Sequence, residues 1–488
     1  MTETRIPQGS SPADDKAMHG ALAQVRQERA RLSRQMNAPD AARIVLGLLY
    51  LNRTARFAAE PGIPTWGWLV SEAQKGSSSM GPAVRKCLAR RLPSIDTGDG
   101  STTHDSIPAL PPGADAPLRG IIRAISSVQH VGTLLDESLR DLSADQARED
   151  RYFTPDDIAR LMVGTVAPQD GNSVLDPVCG SGGLLVEAHR YVRDRVGLDP
   201  NMSLRGRDRH TQTSQVALMN VSVRGIEAHI YPPRDSLAEA EPDRYDIVLA
   251  NLPFNQRDWA PEDQVSSDPR WSEETAPKSS ANSAWIQHVR HALAEQGRAA
   301  FLMADTVATS SQPATRRLRE RLLREDLVEC VISLPPRIFG HTDTTACLWV
   351  LNKDKSPRPD WNVVDRRGHV LFINARRAFE AVPRSRARRL GEKHCKHILA
   401  TLAIWRGSTD NGDAPTDYRD EPGWSRSCST KEVAGDDYKV LPTRWATEPL
   451  DPECDTRRRI DQLKQELIDD LTQVHTLETQ LLDALEEI

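Results

Sequence analysis

Four short segments of the chain carry residue types that could bind a nucleoside and act on an amine. The first is Asp176-Pro-Val-Cys-Gly180-Ser-Gly182-Gly183, which stands between an apolar run and a helical pattern. A glycine turn in that place lets a ligand approach the backbone and offers free N–H groups at the start of the helix. The glycines could equally serve only a tight turn, because the segment lacks the GxGxxG form.

Acidic residues follow two further apolar stretches. Asp208 stands in Gly206-Arg-Asp208, and Asp235 follows residues 229–231. A carboxylate after a strand can accept the hydroxyls of a ribose. Each aspartate alone is more often a helix cap or a solvated loop residue. Three carboxylates after three successive predicted strands, behind a glycine turn, predict a pocket for a nucleoside cofactor.

The fourth segment is Asn251-Leu252-Pro253-Phe254, which ends the apolar run 245–250. An asparagine carbonyl and a neighbouring backbone carbonyl can together accept both hydrogens of an exocyclic amine. The phenylalanine face can stack on a planar base. The alternative is a proline turn whose phenylalanine is buried in the core.

The elements that must position these residues alternate between strand and helix patterns. Short apolar runs bounded by turns occur at 173–175, 203–206, 245–250, 299–303, 327–333, 346–352 and 370–374. This alternation predicts an α/β fold with a doubly wound, mainly parallel, Rossmann-like sheet. Ligands of such sheets bind at the carboxyl ends of the strands, where the four segments lie.

The flanking regions differ in composition from this centre. Residues 1–16 are rich in serine, proline and aspartate and are predicted to be disordered. Residues 17–150 predict an all-helical domain, with Asn37 capping a helix that contains the apolar run 44–51. Residues 456–488 predict a long amphipathic helix. That helix could dock on a partner or fold back on its own chain.

Composition restricts the other classes of function. The 488 residues carry a net charge of −6, so nucleic-acid contacts must come from local basic patches or from a partner. Arginines at 316–324 and 384–389 are candidate phosphate contacts, although such runs are more often solvated helix faces. The seven scattered cysteines contain no CxxC pair, and His394, Cys395 and His397 lack a second ligand cluster, so no metal is predicted. No apolar run suits a membrane span and no signal peptide is evident, which predicts a cytoplasmic protein.

Together the motifs resemble the amino-methyltransferases that use S-adenosylmethionine. The closer resemblance is to the modification subunit of type I restriction-modification systems, the N6-adenine DNA methylases. Residues 176–185 match the glycine turn of that family almost letter for letter. Tyr152-Phe153-Thr154-Pro155 resembles the family segment that covers the cofactor. Further similar segments are 281–285, 331–336, 348–352, 371–376, 403–406 and 438–444.

The resemblance implies a DNA adenine N6-methyltransferase whose target adenine is flipped out of double-stranded DNA. By this resemblance Asn251 and the Leu252 carbonyl accept the amine hydrogens within a turn completed by Pro253, and Phe254 stacks on the base. The implied cofactor is S-adenosylmethionine, with Asp208 at its ribose and Asp235 near its adenine. The implied cofactor-binding residues are Tyr152, Phe153, Thr154, Pro155, Asp176, Cys179, Gly180, Ser181, Gly182, Gly183, Asp208 and Asp235.

The resemblance also implies a domain organisation for this chain and separate partner subunits. Residues 151–380 would form the methyltransferase domain, residues 381–455 a C-terminal extension, and residues 456–488 the helix that docks on a partner. Sequence specificity would come from a separate specificity subunit, and a restriction subunit could accompany the complex.

Three positions depart from the family pattern. Leu252 replaces a proline, Asp208 stands where glutamate is usual, and Arg234 replaces a small residue before Asp235. Leucine keeps the backbone carbonyl but loses the ring that fixes φ. Two alternatives therefore stay open: a catalytically weakened or inert scaffold subunit, and a methyltransferase that acts on a non-DNA amine such as a protein glutamine or an RNA base.

Overall fold

The computed structural model describes residues 12–54, 60–93, 95–96, 102–103, 107–129, 131–146, 154–259, 268–271, 279–339, 344–357, 364–382, 387–407, 417–448, 464–465 and 468. Its N-terminal part is mainly helical. The helices are α1 (Pro12–Leu32), α2 (Ala38–Arg53), α3 (Trp66–Lys75), α4 (Met80–Arg91), α5 (Asp115–Ser126) and α6 (Gly132–Gln146), with a 3-10 turn at Pro112–Ala114.

The N-terminal helices form around a core of their own, centred on α2. The Asn37 side chain accepts a hydrogen bond of 2.8 Å from the Asp40 N–H, so the predicted cap is confirmed. All residues of the apolar run 44–51 are buried. The helix α2 also packs on a helix of the central domain, where Arg53 Nε donates to the Val223 carbonyl at 3.2 Å.

Two sequence expectations do not hold in this part. Helix α1 begins at Pro12, so the predicted disorder of residues 1–16 does not apply to residues 12–16. Proline suits the first helical position, because its missing N–H would have no helical partner there. The region is also not wholly helical, since β1 (Ile95–Asp96) and β2 (Thr102–Thr103) pair antiparallel.

Within the described residues the central sheet has nine strands in the order β13-β10-β8-β9-β7-β6-β3-β4-β5. Their bounds are β3 (Ser173–Asp176), β4 (Ser203–Gly206), β5 (Ala228–Ile230), β6 (Tyr245–Asn251), β7 (Leu293–Ala304), β8 (Val328–Ser333), β9 (Ala346–Asn352), β10 (His369–Asn374) and β13 (Ser425–Ser429). A separate pair, β11 (Glu380–Ala381) and β12 (Arg388–Arg389), is antiparallel.

The predicted doubly wound, mainly parallel sheet is confirmed. Neighbours pair in parallel from β5 through β4, β3 and β6 to β7, and β8 pairs in parallel with β10. Strand β9 runs antiparallel between β7 and β8, and β13 runs antiparallel at the edge. Because β13 belongs to the sheet, the sheet extends beyond residue 380, the predicted end of its domain.

Helices cover both faces of the sheet, and two separate apolar clusters form the core. The helices are α7 (Asp156–Val166), α8 (Gly183–Val196), α9 (Thr211–Val223), α10 (Asn282–Ala292), α11 (Asp305–Thr309), α12 (Pro313–Arg324), α13 (Glu392–Arg406), α14 (Thr430–Gly435) and α15 (Pro442–Trp445), with a 3-10 turn at Pro269–Trp271. None of the helices in the described ranges is long and apolar enough to cross a membrane. The predicted helix 456–488 lies outside the described residues except at 464–465 and 468, so it stays a prediction.

A buried ion pair fastens α13 to the sheet. Arg406 donates two hydrogen bonds to the Glu329 carboxylate, of 3.0 and 2.6 Å, and Asn352 donates a third of 3.2 Å. Burial alone would raise the pKa of Glu329, but Arg406 and Arg298 outweigh burial and lower the pKa to about 2. The pair therefore stabilises the fold fully above pH 4.5, and the contribution is lost as the pH falls toward 2.

We predict that Arg406→Met lowers the free energy of unfolding by about 3–5 kcal/mol at neutral pH, because it leaves a buried carboxylate without its cation. Urea unfolding of the full chain measures the change. Lys396→Gln is the matched control, since Lys396 pairs with Glu392 on the exposed face of the same helix at 2.7 Å. The control should cost less than about 1 kcal/mol. Equal losses in both variants would contradict this account.

Candidate functional site

The carboxyl ends of β3, β4 and β6 bring three of the four predicted segments to one edge of the sheet. Asp176 pairs in register with Gly206, and Leu175 pairs with Val248. Because these strands are parallel neighbours, the residues that follow them emerge on the same side. Asp176, Asp208 and the Asn251 turn therefore share this edge.

The glycine turn is tied to the loop that carries Asp208. The Cys179 N–H donates to the Arg207 carbonyl at 2.7 Å, and the Arg207 N–H donates to the Asp176 carbonyl at 3.0 Å. Gly180 and Gly182 have φ values of 52° and 78°, which only glycine adopts without strain. The two loops thus form one hydrogen-bonded unit.

Other members of the glycine turn have definable places. The Cys179 side chain is buried, with its sulfur 3.0 Å from where a Cβ on Gly206 would stand and 3.8 Å from the Gly180 carbonyl. The Ser181 carbonyl accepts a 2.8 Å hydrogen bond from Asn220 of α9. Gly183 begins α8. The glycine turn is therefore held by the buried Cys179 side chain and by the hydrogen bond from Asn220 of α9.

Two carboxylates lie close together at this edge, and of these Asp176 is buried and Asp208 is half-buried. The Asp176 side chain is 1% exposed, and burial, reinforced by the nearby Asp208, raises its pKa to about 8. Burial also raises the pKa of Asp208, against the donated hydrogen bonds of the His210 and Gly180 N–H groups. Within the described residues Asp176 has no ion-pair partner, and its carboxylate accepts a hydrogen bond of 3.1 Å from the Val178 N–H. A cationic ligand at this edge would favour the ionised form of both carboxyl groups.

The loop after β5 completes this side of the edge. The Asp235 carboxylate accepts a hydrogen bond from the Leu237 N–H at 2.9 Å. The Ser236 hydroxyl donates to the Pro177 carbonyl at 2.6 Å, which joins the loop to the segment after β3. Arg234 pairs with Glu239 at 2.6 Å and is 48% exposed, so its side chain turns toward solvent.

The turn after β6 presents the predicted amine-binding groups. Asn251 ends β6, and its amide nitrogen is enclosed with no hydrogen-bond partner among the described residues. The Leu252 side chain is 1% exposed and packs in the core. Phe254 is half-buried and meets the edge of Phe339, with ring centroids 6.3 Å apart and an interplanar angle of 78°.

Several positioning residues escaped the sequence reasoning. Asn282 and Asn255 exchange two hydrogen bonds of 2.8 and 2.9 Å, which anchor the Asn251 turn to the start of α10. Arg270 donates to the carbonyls of Ser236 and Leu237 and so holds the Asp235 loop. Asn282 lies in the segment 281–285 that carried the family resemblance, whereas nothing local singles out Arg270.

The remaining predicted site residues lie near α7 or outside the described chain. Thr154 and Pro155 lead into α7, and Tyr152 and Phe153 lie outside the described residues. Among the residues that the structure describes, no group of three or more His, Cys, Asp or Glu side chains could hold a metal ion.

The doubly wound sheet, with its carboxylate loops and the asparagine turn at one edge, is that of an α/β methyltransferase. The family model described as N-6 DNA Methylase matches residues 128–451, and the chain belongs to this family.

Two methylase subunits of type I restriction enzymes are similar to this chain in sequence. It is 32% identical over 309 residues to the type I restriction enzyme HindI methylase subunit of Haemophilus influenzae, covering 63% of this chain and 66% of that protein. It is 29% identical over 347 residues to the MjaIX methylase subunit of Methanocaldococcus jannaschii, covering 69% and 59%. The match thus spans less than two thirds of either relative.

Among solved structures, the type I restriction-modification methyltransferase subunit from Streptococcus thermophilus superposes with a TM-score of 0.68. The two sequences are 20% identical, and the match covers 88% of this chain and 99% of that one. At this identity the likeness shows the fold.

We predict that Asp176→Asn stabilises the unliganded protein at alkaline pH. The pKa of Asp176 rises from 3.8 to about 8 on folding, so its contribution to stability is full below pH 3.8 and is lost as the pH rises toward 8. At pH 9 the variant should gain about 3–5 kcal/mol in the free energy of unfolding, and near pH 4 almost nothing. Denaturant unfolding across this pH range measures the gain. Asp194→Asn, at a side chain that is 57% exposed, is the control, and a gain independent of pH would contradict the prediction.

Proposed function

We propose that the chain is a DNA adenine N6-methyltransferase that acts as the modification subunit of a type I-like restriction-modification complex. It would transfer a methyl group from S-adenosylmethionine to a flipped adenine. The observation that carries this proposal is the edge of the sheet that Asp176, Asp208 and the Asn251 turn share. Among the described residues the buried Asp176 has no ion-pair partner, and the Asn251 side-chain nitrogen has no hydrogen-bond partner.

The donor set fits the proposed cofactor. S-adenosylmethionine carries positive charge at its sulfonium and ammonium groups, which the ionised carboxylates of Asp176 and Asp208 would neutralise. The glycine turn 180–183 leaves backbone groups open to a ligand, and Asp208 and Asp235 could accept hydrogen bonds from its nucleoside. When bound, this cofactor supplies the methyl group. Phe153 and its neighbours at 152–155 remain proposed cofactor residues by family resemblance.

The Asn251 turn would position the target amine. The Asn251 side-chain carbonyl and the Leu252 backbone carbonyl would accept its two hydrogens, which turns the nitrogen lone pair out of conjugation with the ring. Phe254 would stack on the base. The Asn255–Asn282 bonds hold the turn in place before substrate arrives, and such preorganisation lowers the barrier without a strong base.

The proposal extends to partners. Double-stranded DNA would be the substrate, with its target adenine extruded because the donor cannot reach it inside the stack. The relatives are named as subunits of type I restriction enzymes, so we propose that a specificity subunit binds this chain in the cytoplasm and that a restriction subunit could join the same complex. Residues 456–488 are the proposed docking helix.

Two alternatives are weaker. Methylation of a protein or RNA amine would leave unexplained the family match over residues 128–451, which runs well beyond the Asn251 turn.

The hypothesis of an inert scaffold subunit depends on the replacement of proline by Leu252. The buried Leu252 side chain fixes the turn by packing where the family's proline fixes it through its ring, which supports retained activity.

We predict that Asn251→Ala lowers adenine methylation at least about a hundredfold, because the amine loses its positioned acceptor. The change is made in the natural gene, and methylation-sensitive sequencing of host DNA measures N6-methyladenine. Asn201→Ala, in an exposed loop, is the control and should leave methylation unchanged. The purified Asn251→Ala protein should still bind the cofactor.

Adenine methylation that is unchanged when the gene is deleted would contradict the proposed substrate. Full methylation by Asn251→Ala would contradict the proposed role of the turn.

We predict that Leu252→Pro leaves methylation within a few-fold of wild type and lowers the free energy of unfolding by about 1–2 kcal/mol. The carbonyl is already held, whereas part of a buried side chain is lost. The same sequencing assay and urea unfolding measure both effects. Activity that exists only after Leu252→Pro would instead favour the scaffold.

A further inference from the structure

A second polar cluster, Asp305 and Arg376, lies at the same edge of the sheet, on the side of β7 that faces away from β6. Asp305 directly follows β7, and Arg376 stands two residues beyond β10. The Arg376 guanidinium forms an ion pair with the Asp305 carboxylate. The proposed function uses neither residue.

The strand registers show how this pair relates to Asn251. Cys347 of β9 pairs with Met303 of β7 and with Ser333 of β8, and Ser333 pairs with Asn374 of β10. Asp305 and Arg376 each stand two residues beyond this level, so both project from the carboxyl edge.

The pair spans the strands between β7 and β10. Three strand spacings separate these two strands, about 14 Å. To reach Asp305, the Arg376 side chain must extend across the edge toward β7. Asn251 pairs with Leu302 of β7, and Asp305 follows Leu302 by three residues, so the ion pair lies at the same edge of the sheet as the proposed catalytic turn.

Asp305 is built to hold this guanidinium. Its side chain is 11% exposed, and one oxygen accepts a 3.0 Å hydrogen bond from the Cys347 thiol. Burial, reinforced by Asp305, raises the pKa of Cys347 well above its usual range, so the thiol keeps its proton and donates. The Asp305 carboxylate is therefore held by the Cys347 thiol of β9 through one oxygen and by Arg376 through the other.

The Arg376 side chain remains partly open to solvent while it pairs with Asp305. It is 32% exposed, and the ion pair is made through one terminal nitrogen, Nη2. The planar guanidinium matches the oxygens of a phosphate, which it can bind with two parallel hydrogen bonds.

We propose that Arg376, held by Asp305, binds a backbone phosphate of the DNA strand that carries the target nucleotide. This inference rests on the proposed function. Arg376 fixes the strand next to the Asn251 turn, and Asp305 acts as the positioning residue for Arg376. Phosphate contacts of this kind set the register of a duplex without reading its sequence.

The neighbouring Arg377 is a matched control. It has the same charge and follows the same strand, but its side chain is 89% exposed and pairs with Glu448 at 3.0 Å. Arg377→Gln therefore removes one cation from the same part of the surface without touching the Asp305 pair.

The test measures binding of the full-length chain to a short labelled duplex at low to physiological salt, in the presence of S-adenosylmethionine. Arg376→Gln should weaken binding several-fold and lower the slope of log affinity against log salt by about one, as expected for one lost phosphate contact. Arg376→Lys should keep most of the slope, and Arg377→Gln should match wild type. Cofactor binding should be unchanged in all three.

The Asp305→Asn variant distinguishes two roles of Arg376: a contact to a DNA phosphate and a purely structural ion pair with Asp305. It keeps the cation and an acceptor for Cys347, so the salt slope should stay at or above the wild-type value while methylation by the complex falls. A slope that falls equally in Asp305→Asn and Arg376→Gln would overturn the inference, as would a folded Arg376→Gln that binds like wild type. A wild-type chain that binds no duplex even in complex with its specificity subunit would overturn the proposed function as well.

Discussion

The parallel pairing of β3 with β4 and β6 is the constraint on which the site depends. Parallel neighbours end on the same side, so Asp176, Asp208 and Asn251 meet although 75 residues separate the first from the last. The connecting helices cover both faces of the sheet, and their apolar contacts keep these strands buried. A register shift of one residue would turn every side chain of a strand to the opposite face and scatter the site.

This geometry places two carboxyl groups close together at the edge of the sheet, where ionising them is unfavourable. Asp176 is buried beside the half-buried Asp208, and burial raises the pKa of both. Folding alone gains nothing from such a pair, since neutral side chains would pack there at less cost. Cores tolerate such groups mainly where a ligand uses them. The loops of the edge are joined by backbone hydrogen bonds between Cys179, Arg207 and Asp176, so the carboxyl groups are held in place before a ligand arrives.

Much of the fold could be predicted from the sequence, because short apolar runs between turns mark buried parallel strands. The runs 203–206 and 346–352 coincide with β4 and β9. Strand β13 could not be predicted, since its Ser-Arg-Ser-Cys-Ser sequence is polar and only its pairing with β10 makes it a strand. At the site, the strand-end rule located Asp176, Asp208 and Asn251. The supports Asn220, Asn282 and Arg270 come from distant helices and turns, and only the tertiary structure brings them to the loops.

The central claim is that the uncompensated carboxylates bind a cationic methyl donor. Titration calorimetry of S-adenosylmethionine into the full chain at pH 7, repeated in buffers of different ionisation enthalpy, counts the protons released on binding. With a pKa of about 8, Asp176 is mostly protonated at that pH, so a cation that restores its ionised form should release about 0.9 proton. Asp176→Asn should release almost none. Binding without proton release by the wild type, or equal release by both proteins, would contradict the account.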